Sequence, residues 1–198
     1  MIKHQLKIEL RVPFLGTRSY IQGPSIIEKI HDKIGVPQKY LFKVKKEITT
    51  NFITLMNEKD PRETHAAEYQ CLRSDKNEMF YLIPNEPIKP ETRKEFDESK
   101  ITNFAKISNK DALLLNPSPF PLPTEIVSLN KHLLKTMFSH KNKGRWVFLQ
   151  LELSQKSMAT RPLRVEKDSE IKALKIVRSK VFIAEEYVGT LDFLWKNN

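Results

Sequence analysis

Two ionisable side chains near the start of the chain have the spacing of a small catalytic pair. Glu28 and His31 are three residues apart, so on a helix their side chains lie on the same face. A carboxylate can act as a general base towards water, and an imidazole can exchange a proton near neutral pH. A structural role competes with this one, because Ser25 and Glu28 also have the form of a capping box. The sequence predicts Glu28 and His31 as candidate catalytic residues and leaves the capping role of Glu28 open.

A polar segment lies immediately before this pair. Arg18, Tyr20 and Gln22 alternate with other residues and are followed by Gly23, so their side chains share one side of an extended segment. A guanidinium, a phenol and an amide could bind a carboxylate, a phosphate or a thioester carbonyl, and the N–H groups at a helix start attract negative charge. We predict these four residues as substrate-binding residues. The alternative is a set of hydrogen bonds within the loop that fixes the start of the helix.

Other kinds of site have little support in the sequence. The five histidines occur singly, without the spacing of metal ligands, and the one cysteine, Cys71, falls within a predicted strand. The five glycines are not grouped into a phosphate-binding loop. The sequence therefore predicts no metal site, no disulfide and no nucleotide cofactor. A lone cysteine is usual in a reducing compartment, and no stretch resembles a signal peptide or a membrane span, so we expect a cytoplasmic protein.

The charge balance favours acidic partners. The 198 residues include 34 Lys and Arg against 24 Asp and Glu, which gives a net charge of +10. Such a charge attracts polyanions over long distances, and both nucleic acid and an acidic carrier protein qualify. The basic residues form two loose clusters, 43–46 and 131–145, and both lie near aromatic residues. A non-enzymatic module that binds nucleic acid or another acidic macromolecule is therefore the alternative function.

Two helices must position the candidate residues. Segments 25–34 and 124–138 each carry one apolar stripe at helical spacing. Apolar runs predict strands at 8–12, 40–48, 65–73 and 79–83, and again at 112–115, 146–153, 171–183 and 188–195. A polar stretch with several prolines separates the two sets. The predicted organisation is a first unit at 1–83, a linker at 84–100 and a second unit at 101–198.

The two predicted units contain related landmarks. Pro13 and Pro119 each precede a phenylalanine ahead of a helix, and Tyr40 and Trp146 each begin the strand after it, with the same number of residues between the members of each pair. A repeat of this length predicts duplicated domains rather than a solenoid. The apolar alternation falls on positions 40, 42 and 44 in one strand but on 147, 149, 151 and 153 in the other, which is a slip of one residue. The sequence predicts an internal duplication in which the strands after the two helices are offset by one residue.

The order of these elements resembles the double hot-dog arrangement of acyl-thioester enzymes, in which a helix is wrapped by an antiparallel sheet in each half. The local resemblance lies in Pro13-Phe14-Leu15-Gly16, in Gly23-Pro24 at the start of the helix, and in Glu28. Hydroxyacyl carrier-protein dehydratases have a His-Phe-Pro-Gly loop, a Pro-Gly step into the central helix and an acid on that helix. The resemblance implies an α+β fold of two fused hot-dog-like units. It also implies a substrate carried on coenzyme A or on the phosphopantetheine of an acyl carrier protein, with no further cofactor.

The departures from the dehydratase pattern narrow the reaction. The position of the catalytic histidine falls on Pro13, and in the second unit on Pro119, neither of which can exchange a proton. This argues against dehydration. Several hot-dog thioesterases rely instead on a carboxylate of the helix to activate water, and Glu28 is compatible with that role. The resemblance implies an acyl-thioester binding protein or hydrolase, and the residues leave open whether catalysis is retained.

Overall fold

The computed structural model describes residues 6–58, 64–89, 91–139, 143–154 and 161–197. It divides into two compact units, Met1–Phe96 and Asp97–Asn198. The boundary falls inside the predicted linker 84–100. The domain bounds predicted from the sequence, 1–83 and 101–198, stay a prediction.

Unit 1 is a five-stranded antiparallel sheet with one helix. The sheet order is β1-β4-β6-β5-β3, and β2 and β7 form a separate parallel pair. Isoleucines 26, 27 and 30 of the helix are buried, which accounts for the apolar stripe of the sequence. The elements are β1 Lys7–Arg11, β2 Phe14–Leu15, α1 Gly23–Ile34, β3 Lys39–Val44, β4 Phe52–Met56, β5 Ala67–Arg73, β6 Lys76–Pro84 and β7 Arg93–Lys94.

Unit 2 also packs a long helix on an antiparallel sheet, which here has six strands. The order is β8-β9-β11-β12-β13-β10, and all neighbours are antiparallel. The long helix α3 contacts β9, β10 and β11 through a largely buried face. The elements are α2 Ser99–Thr102, β8 Ala105–Ile107, β9 Asp111–Leu114, α3 Leu122–Met137, β10 Arg145–Ser154, β11 Leu163–Ile171, β12 Ile176–Ile183 and β13 Glu186–Lys196. The predicted α+β class, with one long helix on an antiparallel sheet in each unit, is confirmed.

The two sheets differ in how their hairpins are placed. Both hairpins turn through a pair of residues with positive φ, Ser74 and Asp75 in unit 1 and Ala184 and Glu185 in unit 2. In unit 1 the first hairpin strand, β5, pairs with the strand that follows the helix. In unit 2 the second hairpin strand, β13, has that place. The internal duplication stays a prediction. A residue-by-residue alignment of the two hairpins would match strands that have different positions in their sheets.

A β-bulge resolves the one-residue slip noticed in the sequence. The register between β10 and β13 shifts between Phe148 and Gln150. Trp146 is buried before the bulge, whereas Leu151 and Leu153 are buried after it. An extra residue in one strand moves the inward positions from even to odd numbers. The alternation of β10 is therefore interrupted, and Tyr40 and Trp146 both begin as inward-facing positions.

Two of the predicted strands need correction, and several strands of the structure were not predicted. The segment 171–183 is not one strand, because a short 3-10 turn and Lys175, at φ 55°, separate β11 from β12. Strands β2, β4, β7 and β8 were not predicted, and neither was β11 apart from its last residue. The predicted strand 40–48 is too long, because β3 ends at Val44.

The buried side chain of Asn130 on α3 is unfavourable for the stability of the fold. Its side chain is 0% exposed, and neither its amide nitrogen nor its amide oxygen has a hydrogen-bond partner in the described structure. A buried polar group without a partner costs about 1–3 kcal/mol. We expect Asn130→Leu to raise the free energy of unfolding by at least about 1 kcal/mol, measured by urea denaturation. Asn130→Asp, which buries a charge instead, should lower it, and a destabilising Asn130→Leu would contradict this interpretation.

Candidate active site

Helix α1 begins two residues earlier than the sequence predicted. Gly23 and Pro24 form its first turn, Gln22 is the N-cap residue, and no side chain caps the helix. Proline suits the first turn because it has no N–H to satisfy there. Ser25 therefore lies inside the helix and is buried, so the predicted Ser25–Glu28 capping box is wrong. Glu28 therefore does not form a capping box with Ser25.

Glu28 and His31 share a half-buried face of α1 above two buried tyrosines. His31 Nε2 lies 2.9 Å from the hydroxyl oxygen of Tyr69, and the His31 ring packs edge-on against Tyr40 with 5.0 Å between centroids. Tyr40 and Tyr69 come from β3 and β5 and stack on each other at 5.7 Å. Their side chains are 2% and 0% exposed. The structure thus brings His31 against the side chains of two tyrosines of the sheet, with Glu28 one helical turn earlier on the same helix.

Burial fixes the charge states of this cluster. It lowers the pKa of His31 from 6.5 to about 4, and the nearby Asp32 carboxylate offsets only part of the effect. It also raises the pKa of Tyr40 far above its usual range, with the charge of Glu28 as a second cause. The pKa of Tyr69 is raised in the same way, mainly by burial. At neutral pH the site contains a neutral imidazole and two protonated phenols.

The lowered pKa of His31 makes a prediction about stability and pH. In the unfolded chain His31 takes up a proton near pH 6.5, whereas in the folded chain it stays neutral down to about pH 4. The folded state therefore loses stability as the pH falls through this range. The slope attributable to one group is at most about 1.4 kcal/mol per pH unit. We expect wild-type stability in urea to fall more steeply between these pH values than that of His31→Gln. His132→Gln is the control, and identical slopes in wild type and His31→Gln would contradict the prediction.

The predicted substrate-binding segment is tied together by its own side chains. With the amide oxygen of Gln22 facing the guanidinium, it accepts hydrogen bonds from Arg18, the shortest at 2.6 Å from Nε. The Arg18 guanidinium also lies over the Phe96 ring, 5.0 Å from its centroid. Tyr20 is half-buried, and Gly23 is buried as the first residue of α1. Arg18 and Gln22 are brought together, and the binding roles of all four residues stay predictions.

A second arginine holds this segment in place from β7. Arg93 Nη1 donates to the carbonyl oxygens of Gly16 and Arg18, at 3.2 and 3.0 Å. Its guanidinium lies 5.0 Å from the centroid of the Phe14 ring. The start of α1 therefore has a defined position relative to the rest of unit 1, which a binding segment requires.

Sequence reasoning missed Tyr40 and Tyr69 as members of the site. Both were assigned to strands, and their alternation with Phe42 and Cys71 indicates only an inward face. The signal that could have found them is the pair of phenols at inward positions facing the helix that carries His31. Cys71 is buried, and burial raises its thiol pKa to about 11, so it is no candidate nucleophile.

The basic clusters are partly neutralised. Lys45 forms an ion pair with Glu68 at 2.5 Å, and Lys131 forms one with Glu98 at 3.1 Å. Lys141 lies outside the described residues.

In the part of the chain that the structure describes, no three His, Cys, Asp or Glu side chains converge as metal ligands. No described helix is both long enough and apolar enough to cross a membrane.

Comparison with known proteins supports the fold. The chain is similar to a 12:0-ACP thioesterase from Umbellularia californica, with a TM-score of 0.50 and 7% identity over 98% of each chain. It also resembles a fusion DH domain (TM-score 0.49, 11% identity, 98% and 88% of the two chains) and the tesB protein of Mycobacterium avium subspecies paratuberculosis (0.48, 10%, 96% and 93%). No protein-family model matches the sequence, and no curated protein matches it.

At 7% identity, the likeness to the 12:0-ACP thioesterase shows the fold alone. The chain has the hot-dog fold, as the order of its elements predicted. Its two fused units each pack one long helix on an antiparallel sheet.

Proposed function

We propose that this protein binds acyl thioesters, and that unit 1 hydrolyses them at the face of α1 that carries Glu28 and His31. One observation carries the proposal: a carboxylate and a neutral imidazole lie one helical turn apart, over two buried tyrosines, on the central helix of a hot-dog unit. The similar 12:0-ACP thioesterase acts, by its name, on an acyl chain attached to a carrier protein. Fold alone is a weak guide to reaction, so the residues of the helix decide the mechanism.

Hydrolysis in this site uses Glu28 as the general base. The carboxylate accepts a proton from water as the water oxygen attacks the thioester carbonyl carbon, and a tetrahedral oxyanion forms. The oxyanion collapses with cleavage of the C–S bond, and the thiolate leaves with the proton that Glu28 returns. The products are a carboxylic acid and the thiol of coenzyme A or of the carrier.

His31 supplies a neutral hydrogen-bond donor next to the base. In the tautomer with a proton on Nδ1, the Tyr69 hydroxyl donates to Nε2, and Nδ1–H remains for the thioester carbonyl. A neutral donor stabilises the oxyanion without giving up its proton in the ground state. The raised pKa of Tyr69 keeps its hydroxyl protonated for this task.

Arg18 and Gln22 bind the substrate through one amide. Because Arg18 holds the amide oxygen of Gln22, the two amide N–H groups of Gln22 remain as donors for a carbonyl of the acyl or pantetheine group. Arg18 acts as the positioning residue, and its charge adds to the attraction for phosphates. Gly23 presents a backbone with no side chain in the way.

The net charge of +10 suits an anionic carrier, either coenzyme A or an acidic acyl carrier protein. The proposal includes a cytoplasmic location. Nucleic acid stays the alternative partner, and nothing in the geometry of the site favours it.

A panel of acyl-CoA and acyl-carrier thioesters graded in chain length tests the proposal. Binding is followed by calorimetry and hydrolysis by release of the free thiol. We expect the acyl thioesters to bind more tightly than free coenzyme A, with little loss of affinity at high salt, because an apolar chain provides most of the contact. A labelled oligonucleotide that binds at low salt and is released at high salt, with no binding of any thioester, would contradict it.

A further inference from the structure

One end of the unit 2 sheet carries exposed apolar side chains. The turn between β11 and β12 contains Ile171 and Leu174, which are 50% and 59% exposed. Lys172 and Lys175 of the same turn are exposed as well. Single exposed apolar residues are common, but two aliphatic side chains beside two lysines at the point of one turn form a patch with a mixed character.

The neighbouring strands bring two more cations to this end. The backbone N–H of Trp195 donates to the carbonyl of Lys175 at 2.9 Å, which joins the turn to the end of β13. The next residue of β13, Lys196, pairs with Arg145 at the beginning of β10. We call this surface the basic tip, made of Ile171, Lys172, Leu174 and Lys175 with Arg145 and Lys196.

Ion pairs neutralise other lysines of unit 2 but leave the basic tip charged. Lys110 bonds to Glu166, Lys131 to Glu98 and Lys180 to Asp168. Among the residues that the structure describes, no carboxylate lies within ion-pair distance of Lys172, Lys175 or Lys196. Lys172, Lys175 and Lys196 therefore retain their positive charge without a neighbouring carboxylate.

The turn is a fixed part of the fold. Ile171 pairs with Ile176 across the β11–β12 hairpin, and the N–H of Lys175 donates to the carbonyl of Lys172 at 3.1 Å. The Trp195 ring packs edge-to-face against the Trp146 ring, with 5.1 Å between the ring centroids. These backbone hydrogen bonds define the conformation of the turn that carries the two exposed aliphatic side chains, so docking requires little ordering of the backbone.

We propose that the basic tip docks the protein on an anionic lipid surface. Two aliphatic side chains are too few for a stable protein interface, which buries on the order of 1,000 Å² or more. They are enough to enter the interfacial layer of a bilayer, where the flanking cations meet acidic headgroups. The apolar and the charged contributions are each weak alone, so binding needs both. This proposal goes beyond the thioester site and does not depend on it.

Vesicle co-sedimentation with the full chain tests the proposal. We expect binding to phosphatidylcholine vesicles that contain phosphatidylserine to be at least about tenfold tighter than to phosphatidylcholine alone, and to weaken with salt. Ile171→Asn/Leu174→Asn and Lys172→Gln/Lys175→Gln should each weaken it at least about tenfold. The matched controls are Val36→Asn for an exposed aliphatic residue and Lys76→Gln/Lys106→Gln for the same loss of charge, and both should bind as wild type does.

Two results would overturn the proposal. The first is wild-type protein that does not sediment with phosphatidylserine vesicles. The second is unchanged vesicle binding by Ile171→Asn/Leu174→Asn, since a surface for soluble polyanions such as heparin depends on charge and not on the aliphatic pair. Because all four substituted tip residues are exposed, an unchanged melting temperature is expected and serves as the folding check.

Discussion

Glu28→Gln is expected to lower kcat for acyl-thioester hydrolysis by about a hundredfold or more while the melting temperature hardly changes. Glutamine has nearly the same shape as glutamate but cannot accept the proton of the attacking water. The structure removes the main structural objection, because Ser25 lies within the helix and no capping box links it to Glu28. Thiol release and thermal unfolding, measured on the same preparation, separate the two effects.

Glu86→Gln is the matched control for this prediction, since Glu86 is an exposed carboxylate of the same unit. It should leave turnover within about twofold of wild type. Full turnover in Glu28→Gln would show that Glu28 is not the base, and would move attention to His31. A joint loss of stability and turnover would instead assign Glu28 to the fold.

Arg161→Met is expected to lower the free energy of unfolding by about 3–5 kcal/mol. Arg161 Nη2 donates to both carboxylate oxygens of Glu125, at 2.7 and 2.6 Å, and the Glu125 side chain is only 2% exposed. The same carboxylate accepts the N–H of Ser118 at 2.6 Å. Removing the arginine leaves a buried charge without its counter-charge, which is far more costly than losing a surface pair. Urea denaturation measures the change.

A double variant separates the buried charge from the loss of packing. Arg161→Met/Glu125→Met removes both partners and should recover most of the stability that Arg161→Met loses. Lys29→Met breaks the exposed Lys29–Asp32 pair and should change the free energy by less than about 1 kcal/mol. A cost for Arg161→Met as small as that of Lys29→Met would contradict the account of Glu125.

The two long helices, α1 and α3, could be predicted from the sequence because their signals are local. The isoleucine stripe of α1 depends only on the spacing of residues along the helix. Strand β11 could not be predicted because the signal for it is not local. Leu163–Ile171 is mostly polar and becomes a strand because β9 and β12 pair with it on both sides. Such pairing is not encoded in the periodicity of the segment itself.

Only half of the candidate site could be predicted from the sequence, because only half of its residues are close to one another in the chain. Glu28 and His31 are neighbours on one helix, so their spacing predicts a shared face. Tyr40 and Tyr69 reach the same place from separate strands, and only the pairing of β3 with β5 brings them together. The strength of desolvation at His31 also follows from this packing, which no local pattern shows.

The most direct test of the thioester site follows the ring of His31 by NMR while a hydrolysis-resistant acyl-CoA analogue is added. Selective labelling of histidine gives separate ring signals, and His65 and His132 serve as internal references. The account predicts that the His31 signal moves with ligand concentration until it saturates, while the signals of His65 and His132 stay in place. A saturating shift confined to another histidine, or no shift at a ligand concentration that calorimetry shows to be bound, would contradict it.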